Sequence, residues 1–321
     1  MAPPLAGPGE VVVDVERAGV CGTDVEFFTG EMSYLHSGEA AYPIRIGHEW
    51  AGVVSTVGDV VDPAWLGRRV TGDTMLGCGR CDRCLDGRQH LCADRHEIGI
   101  RNGWPGALAE QLRVPAIALH AIPDALDPTA GAMVEPGGNA LRAVRGADLA
   151  AGDRLLVLGA GTIGLLVARI AAADGVEVHL VGRSERSRTF AGSIGFEGVW
   201  TIESLPAGPY RVVVDASNAP ELPRLAVDLV EPGGRVVFIG LAGVPSLVDS
   251  RQLALKDLTA VGVLSASGGL AGIVERYASG AVDPRPLVAA TIGLDDVADV
   301  LAGRRDATWG GAPKIHVDPR R

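Results

Sequence analysis

The 321-residue chain has no cysteine beyond Cys92, no surplus of positive charge and no long apolar run. Lysine and arginine total 29 against 39 aspartates and glutamates, a formal net charge of -10, so the positive face that a nucleic-acid polyanion needs is not supplied. Met1-Ala2-Pro3-Pro4-Leu5-Ala6-Gly7-Pro8 lacks the basic stretch and the apolar core of a secretory leader. The longest uncharged segments, Leu155 to Ala168 and Leu258 to Val274, are broken by glycine and fall short of the roughly 18 to 20 apolar residues of a helical span. No internal repeat or low-complexity tract is visible. These absences predict a soluble, cytoplasmic protein with neither a nucleic-acid nor a membrane partner. Reduced thiols in that compartment favour metal binding over disulfides.

What is present is an ordinary globular composition, 47% hydrophobic and 21% charged, with 44 glycines clustered beside Val, Leu and Ile runs. Tight strand-to-helix turns of an α/β protein call for that pairing. Glu10 to Val15, Ala51 to Val57, Arg69 to Val70 and Leu108 to Val114 read as short strands broken by Gly, Pro and Asp, the pattern of a mainly β domain. Further on, Leu155 to Leu158, Val176 to Val181, Val212 to Val214 and Arg235 to Ile239 read as buried strands, with helical stretches such as Ile163 to Ala173 between some of them. Such alternation predicts a doubly wound parallel sheet. The strand-like Lys314-Ile315-His316-Val317 is expected to return to the first domain and complete it.

Gly159-Ala160-Gly161-Thr162-Ile163-Gly164 follows an apolar strand directly and opens a helical stretch. Glycines there permit a tight turn, backbone approach to a pyrophosphate and close helix-to-strand packing, and the helix N-terminus favours the anion. About twenty residues on, an NAD site places Asp or Glu on the ribose 2′-hydroxyl. This chain has Gly182-Arg183-Ser184-Glu185-Arg186 instead. Loss of the carboxylate removes repulsion toward a 2′-phosphate, and Arg183 with Ser184 and Arg186 can grip that phosphate, so NADP(H) is expected ahead of NAD(H). The competing reading is that these arginines solvate a surface loop.

The five cysteines divide into a cluster, Cys78-x2-Cys81-x2-Cys84-x7-Cys92, and a lone Cys21. Four thiolates close every tetrahedral position of a zinc ion, as structural sites do. A single thiolate must borrow His and carboxylate ligands, which leaves room for the open position of a catalytic site. With four cysteines committed, His48, Glu49 and Glu135 are the available partners of Cys21. Two zinc ions per chain are therefore expected.

Gly19-Val20-Cys21-Gly22-Thr23-Asp24, Gly47-His48-Glu49-Trp50-Ala51-Gly52, the Cys78 to Cys92 lobe, Val134-Glu135-Pro136 and the Gly159 to Gly164 turn together resemble the zinc-dependent medium-chain alcohol/polyol dehydrogenases, in the right order over essentially the whole chain. The resemblance implies a GroES-like, mainly β catalytic domain over residues 1–138 and 285–321, with a structural zinc lobe at 76–95. It implies a Rossmann domain over 139–284. Cys21 and His48 would bind the catalytic zinc, with Glu135, directly or through water, and Glu49 completing the shell. Glu at the third ligand position is typical of the sorbitol, glucose and threonine dehydrogenase branches. Thr23 matches the hydroxyl that takes the substrate proton, and zinc acts as the Lewis acid that favours hydride release to nicotinamide. Glu26 stands where many relatives place a proton-relay histidine, so the resemblance implies either that the proton leaves by another route or that Glu26 faces the substrate. Relatives usually carry further strands before the Pro-Gly-Glu-Val segment that begins here at Pro8. The expected substrate is a secondary hydroxyl of a polyol, sugar or cyclitol, with threonine or a simple secondary alcohol as the alternative and a nucleotide-binding relative without zinc chemistry as a further one. Segments Glu26 to Tyr34, Arg95 to Trp104 and Ser265 to Gly269 are expected to line its pocket. The family's usual dimer or tetramer would form near Thr259 to Leu264.

Overall fold

The computed structural model describes residues 3–321. Two compact units divide the chain, one comprising 1–138, 265–310 and 314–321, the other 139–264 and 311–313.

In the first unit the long strand Glu10–Val20 is central. It pairs antiparallel with Glu49–Val57 along one side, and with Gln111–Pro115 and Lys314–Val317 along the other. Arg69–Gly72 and Leu119–Ala121 extend the sheet beyond Glu49–Val57, and Val288–Ile292 flanks Lys314–Val317. Val11, Val13, Val15, Trp50, Val54 and Leu112 are buried together in its core. Register shifts at Val12/Val13 and Val15/Arg17 mark bulges, which bend a strand and re-aim its side chains where it approaches a site. The first strand runs well past the Val15 expected from pattern alone. Its charged residues Glu16 and Arg17 are absorbed by ion pairs, Glu16 with Arg69 at 2.7 Å and Arg17 with Asp318. The cysteine-rich lobe stands on a short antiparallel ladder of Met75–Leu76 with His96–Glu97.

The second unit is a six-stranded, wholly parallel sheet in the order Val199–Trp200, Glu177–Val181, Arg154–Leu158, Tyr210–Asp215, Val230–Phe238, Thr259–Gly262. Leu155 to Leu158 are fully buried, as a strand covered on both faces requires. Chain order reverses between Arg154–Leu158 and Tyr210–Asp215, the switch point where open α/β sheets bind ligands.

The chain re-enters the first unit at Ser265, earlier than the 285 read from the sequence. The intervening helix Leu270–Ala278 has the apolar pattern of one more crossover helix, but it packs inside the first unit. Its Tyr277 hydroxyl donates to the Met133 carbonyl at 3.2 Å.

Candidate active site

Cys21 lies where the Glu10–Val20 strand gives way to the helix Gly22–Thr29, in extended backbone at the helix N-cap. Its N–H donates to Asp24 Oδ2 at 2.9 Å, and Asp24 Oδ1 accepts the Gly47 N–H at 2.9 Å. One buried carboxylate thereby joins the Cys21 turn to the residue preceding His48. Burial outweighs these donors and the neighbouring His48, so the Asp24 carboxyl sits above the ordinary carboxylate range.

Donor atoms of Cys21, His48 and Glu49 fall within 4.8 Å of one another. Gly19 makes this possible, because it faces both Glu49 and His316 across the sheet and a Cβ there would lie 2.0 Å from Glu49 Oε2. Burial disfavours a charged His48 ring. Cys21, Asp24 and Glu135 outweigh that cost and hold its pKa well above the usual histidine value. His48 Nδ1 is 3.9 Å from Asp24 Oδ1 and without a hydrogen-bond partner among the described residues. Glu135 is buried at the start of the helix Val134–Ala147 and acts on His48 through its charge, although its carboxylate is not in the tight three-donor group.

Glu49 has a partner that the sequence reading missed. Lys314 Nζ donates to Glu49 Oε1 at 2.8 Å, to Oε2 at 2.7 Å and to the Val20 carbonyl at 3.0 Å. Lys314 is 3% exposed, and burial penalises its charge, but Glu49 and Cys21 keep the ammonium above its usual value. Lys256 and Lys314 are the chain's only lysines. Lys256 Nζ also meets three oxygens, the carbonyls of Val227, Asp228 and Val230 at 2.8–3.0 Å. Both positions need three donors on one compact atom, which a planar guanidinium does not offer.

Thr23 and Glu26 are three residues apart on the Gly22–Thr29 helix and share a face. Glu26 is half-buried, and burial together with Glu31 raises its carboxyl pKa. Of the segments expected to line a pocket, Tyr34 and Arg95 meet at Glu97. Ser267 reaches Asp73.

In the cysteine lobe the ligand sulfurs of Cys78, Cys81, Cys84 and Cys92 lie within 4.8 Å of one another, and Cys81 Sγ is 3.8 Å from Cys92 Sγ. A tetrahedron of sulfurs at the Zn–S distance of about 2.3 Å has edges of about 3.8 Å, so the lobe fits zinc. Backbone N–H groups of Arg80 and Cys81 bring the Cys78 thiol down to about 6, whereas burial pushes Cys84 up to about 12. Four crowded thiols cannot all ionise without a cation among them. The Cys21 group fits by the same test, since a proton-hungry imidazole surrounded by a thiol and carboxylates is an unfilled demand for positive charge.

In the second unit Gly159 has φ +114°, and a Cβ on Gly164 would lie 1.8 Å from the Gly159 carbonyl oxygen. Gly161 caps the helix Thr162–Ala173, whose first residues are Thr162, Ile163 and Gly164. This strand-turn-helix can seat a pyrophosphate. After the next strand, Ser184 Oγ caps the helix Glu185–Ser193 by accepting the Ser187 N–H at 3.1 Å. Arg188 clamps the loop by donating to the carbonyls of Gly182 and Arg183 at 2.9 and 3.1 Å. Arg183 and Arg186 are exposed, and no ion pair among the described residues engages Arg183.

A dinucleotide fold carried in one chain with a clustered thiol, imidazole and carboxylate defines an oxidoreductase class that joins a nicotinamide cofactor to a metal. Comparison with known proteins narrows that class. Residues 7–124 match the alcohol dehydrogenase GroES-like domain and residues 162–279 the zinc-binding dehydrogenase family. The chain is 30% identical to a 2-dehydro-3-deoxy-L-galactonate 5-dehydrogenase of Pseudoalteromonas atlantica, over 92% of this chain and 87% of that one. It is 28% identical to an L-threonine 3-dehydrogenase of Deinococcus deserti, over 91% and 88% respectively. Among solved structures, a zinc-binding dehydrogenase of Sinorhizobium meliloti 1021 bound to NADP superposes with a TM-score of 0.89 at 29% identity, covering 99% of this chain and 94% of that one. An Escherichia coli CFT073 alcohol dehydrogenase complexed with NADH gives the same TM-score at 26% identity, with the same coverage. The chain belongs to the zinc-dependent medium-chain alcohol/polyol dehydrogenase family and is an enzyme of that kind. No helix among the described residues is long and apolar enough to cross a membrane.

Proposed function

We propose that the protein is an NADP-preferring dehydrogenase that oxidises a secondary hydroxyl of a polyol, sugar or cyclitol to the ketone. The observation that carries this reading is the ligand set itself: one thiol, His48 and carboxylates, with every other cysteine gathered in the lobe. Cys21 and His48 would hold the catalytic zinc, with Glu135 directly or through water, and Glu49 drawn between the metal and Lys314. Cys78, Cys81, Cys84 and Cys92 would hold the structural one. Bound at the first site, zinc supplies the Lewis acidity that makes an alcohol proton easier to lose.

The remaining work falls to side chains. Asp24 fixes the Cys21 turn against Gly47, which orients two ligands before anything binds. Thr23 accepts the alcohol proton through its hydroxyl. Glu26, one turn along the same helix face, is suited to take that proton onward through its carboxylate. Gly159, Gly161, Thr162, Ile163 and Gly164 seat the pyrophosphate. Gly182 brings the chain close, and Arg183, Ser184 and Arg186 receive the 2′-phosphate, consistent with the NADP bound by the Sinorhizobium relative. The exposed edge strand Thr259–Gly262, paired on one side only, supports assembly of copies through that edge into a dimer or tetramer.

The 28% identity to a threonine dehydrogenase favours threonine as a second reading, since both readings use the same ligands. A screen of sugars, polyols, cyclitols, threonine and simple secondary alcohols with both cofactors tests the proposal. Zinc-dependent, NADP-linked turnover of a polyhydroxylated substrate is expected. Turnover of threonine alone selects the second reading, and no turnover by zinc-loaded protein on any of them overturns the first.

A further inference from the structure

Asp73 has no place in the ligand set, yet it is 2% exposed and all its acceptor capacity is turned inward. Oδ1 accepts the Met75 N–H and the Ser267 hydroxyl, each at 2.9 Å, and Oδ2 accepts Gln89 Nε2 at 2.7 Å. Ser267, 194 residues away, and Gln89, 16 residues away, therefore meet on one carboxylate in the 71–75 stretch, and each of these three segments leads to a metal-binding group.

The first arm runs to His48. Thr74, adjacent to Asp73, donates its hydroxyl to the His48 carbonyl at 3.3 Å, and Thr71 donates to the Trp50 carbonyl at 2.7 Å. Two threonines of the 71–74 stretch thus hold the carbonyls on either side of Glu49. The second arm runs to Glu135. Ser267 is 1% exposed and follows Ala266, whose Cβ would be 2.9 Å from a Cβ on Gly138, three residues after Glu135 on the same helix. Gly269 packs so tightly there that a Cβ would lie 2.3 Å from the Gly138 carbonyl oxygen. Ser265 enters this segment at φ +67°, an uncommon backbone for serine, and its hydroxyl bonds to Ser267 Oγ at 3.1 Å and accepts the Ser267 N–H at 3.3 Å. A strained entry of this kind persists only where its surroundings fix it. The third arm runs to the lobe, because the Gln89 carbonyl accepts the Cys92 N–H at 3.0 Å.

We infer that Asp73 is a positioning residue that sets the spacing of His48 and Glu135 and ties both to the four-cysteine lobe. It touches no ligand side chain. It acts through the backbone supports of the two ligands, so that they approach a metal as a preformed pair. This inference rests on the proposed metal site at Cys21, His48 and Glu135.

The test uses the full-length, metal-loaded protein and reads the metal directly. Ser267→Ala removes only the Glu135 arm, at a position where the smaller side chain fits. Gln89→Leu removes only the lobe arm. Metal release from the Cys21 site to a colorimetric chelator is timed, and the visible spectrum of the cobalt-substituted site is recorded. Groups that orient metal ligands are worth about 10- to 100-fold in metal affinity. Ser267→Ala is therefore expected to release that metal about tenfold faster, with an altered cobalt spectrum and the lobe metal retained. Gln89→Leu is expected to abolish the acceleration of release that otherwise follows emptying of the lobe by Cys84→Ser. Wild-type release rates and spectra in both variants, in a protein whose Cys21→Ser form no longer binds that metal, would overturn the positioning role and leave the site reading intact. Unchanged metal content in Cys21→Ser would instead remove the site reading, and the positioning role with it.

Discussion

Replacing Lys314 by Met removes a buried ammonium and leaves the Glu49 carboxylate without its cation. The two groups meet at 2.7–2.8 Å with side-chain exposures of 4% and 2%, so no solvent is at hand to take over. Breaking such a pair from one side costs about 3–5 kcal/mol, because the uncompensated charge stays buried. In a unit of this size each kcal/mol lowers the melting temperature by about 2–4 °C, so a fall of roughly 6–20 °C is expected when the Cys21 site is empty. Metal at that site supplies replacement positive charge, so the loss should shrink when zinc is bound. Thermal and urea unfolding of wild type and Lys314→Met, each with the site emptied by a chelator and reloaded, measures both terms. A loss below about 1 kcal/mol that is indifferent to zinc would refute the assignment of Lys314 as the counter-charge of Glu49.

Arg183→Ala should weaken NADP binding by about 10- to 100-fold, the worth of a charge-assisted hydrogen bond, and leave NAD binding nearly unchanged; equal losses in titrations of the two cofactors would remove the 2′-phosphate assignment. His316 is fully buried, and burial together with Lys314 and Arg17 lowers its pKa to about 3. The unfolded chain takes up this proton near pH 6.5 and the folded chain only near 3, so the contribution is complete above about 6.5 and is lost as pH falls through that window, by up to about 5 kcal/mol. Unfolding free energies of His316→Leu should be flatter between pH 6.5 and 4 than those of wild type, and parallel curves would contradict this. Placing proline at Ala260, whose N–H faces the free side because Val263 and its alternate residues donate to the Val230–Phe238 strand, should dissociate oligomers seen by light scattering if the Thr259–Gly262 edge joins copies. Unchanged mass would assign the interface elsewhere.

The clustered residues Cys21 and His48 are legible in the sequence because each sits in a short local motif, and the lobe is legible from cysteine spacing alone. Asp24 was within reach, three residues after Cys21 in the spacing of a helix-capping pair. Lys314 and Ser267 were not. Their partners are 265 and 194 residues away, and nothing local marks a serine or a strand lysine as the far end of a buried bond. Misread boundaries have similar causes. Glu231-Pro232-Gly233-Gly234 has the composition of a turn, yet the strand begins at Val230. Glu16 and Arg17 break the apolar alternation of the first strand but are paired across the sheet. Leu270–Ala278 lies inside the 139–284 span that the family resemblance assigns to the Rossmann domain, yet its Tyr277 bonds Met133 in the first unit.

Metal content per chain tests the account most directly. Native mass spectrometry of protein purified with zinc should show two zinc ions in wild type, one in Cys21→Ser and one in Cys78→Ser, with dehydrogenase activity lost only where the Cys21 site is empty. A single zinc that disappears with Cys78 and is untouched by Cys21→Ser would contradict the catalytic site proposed here.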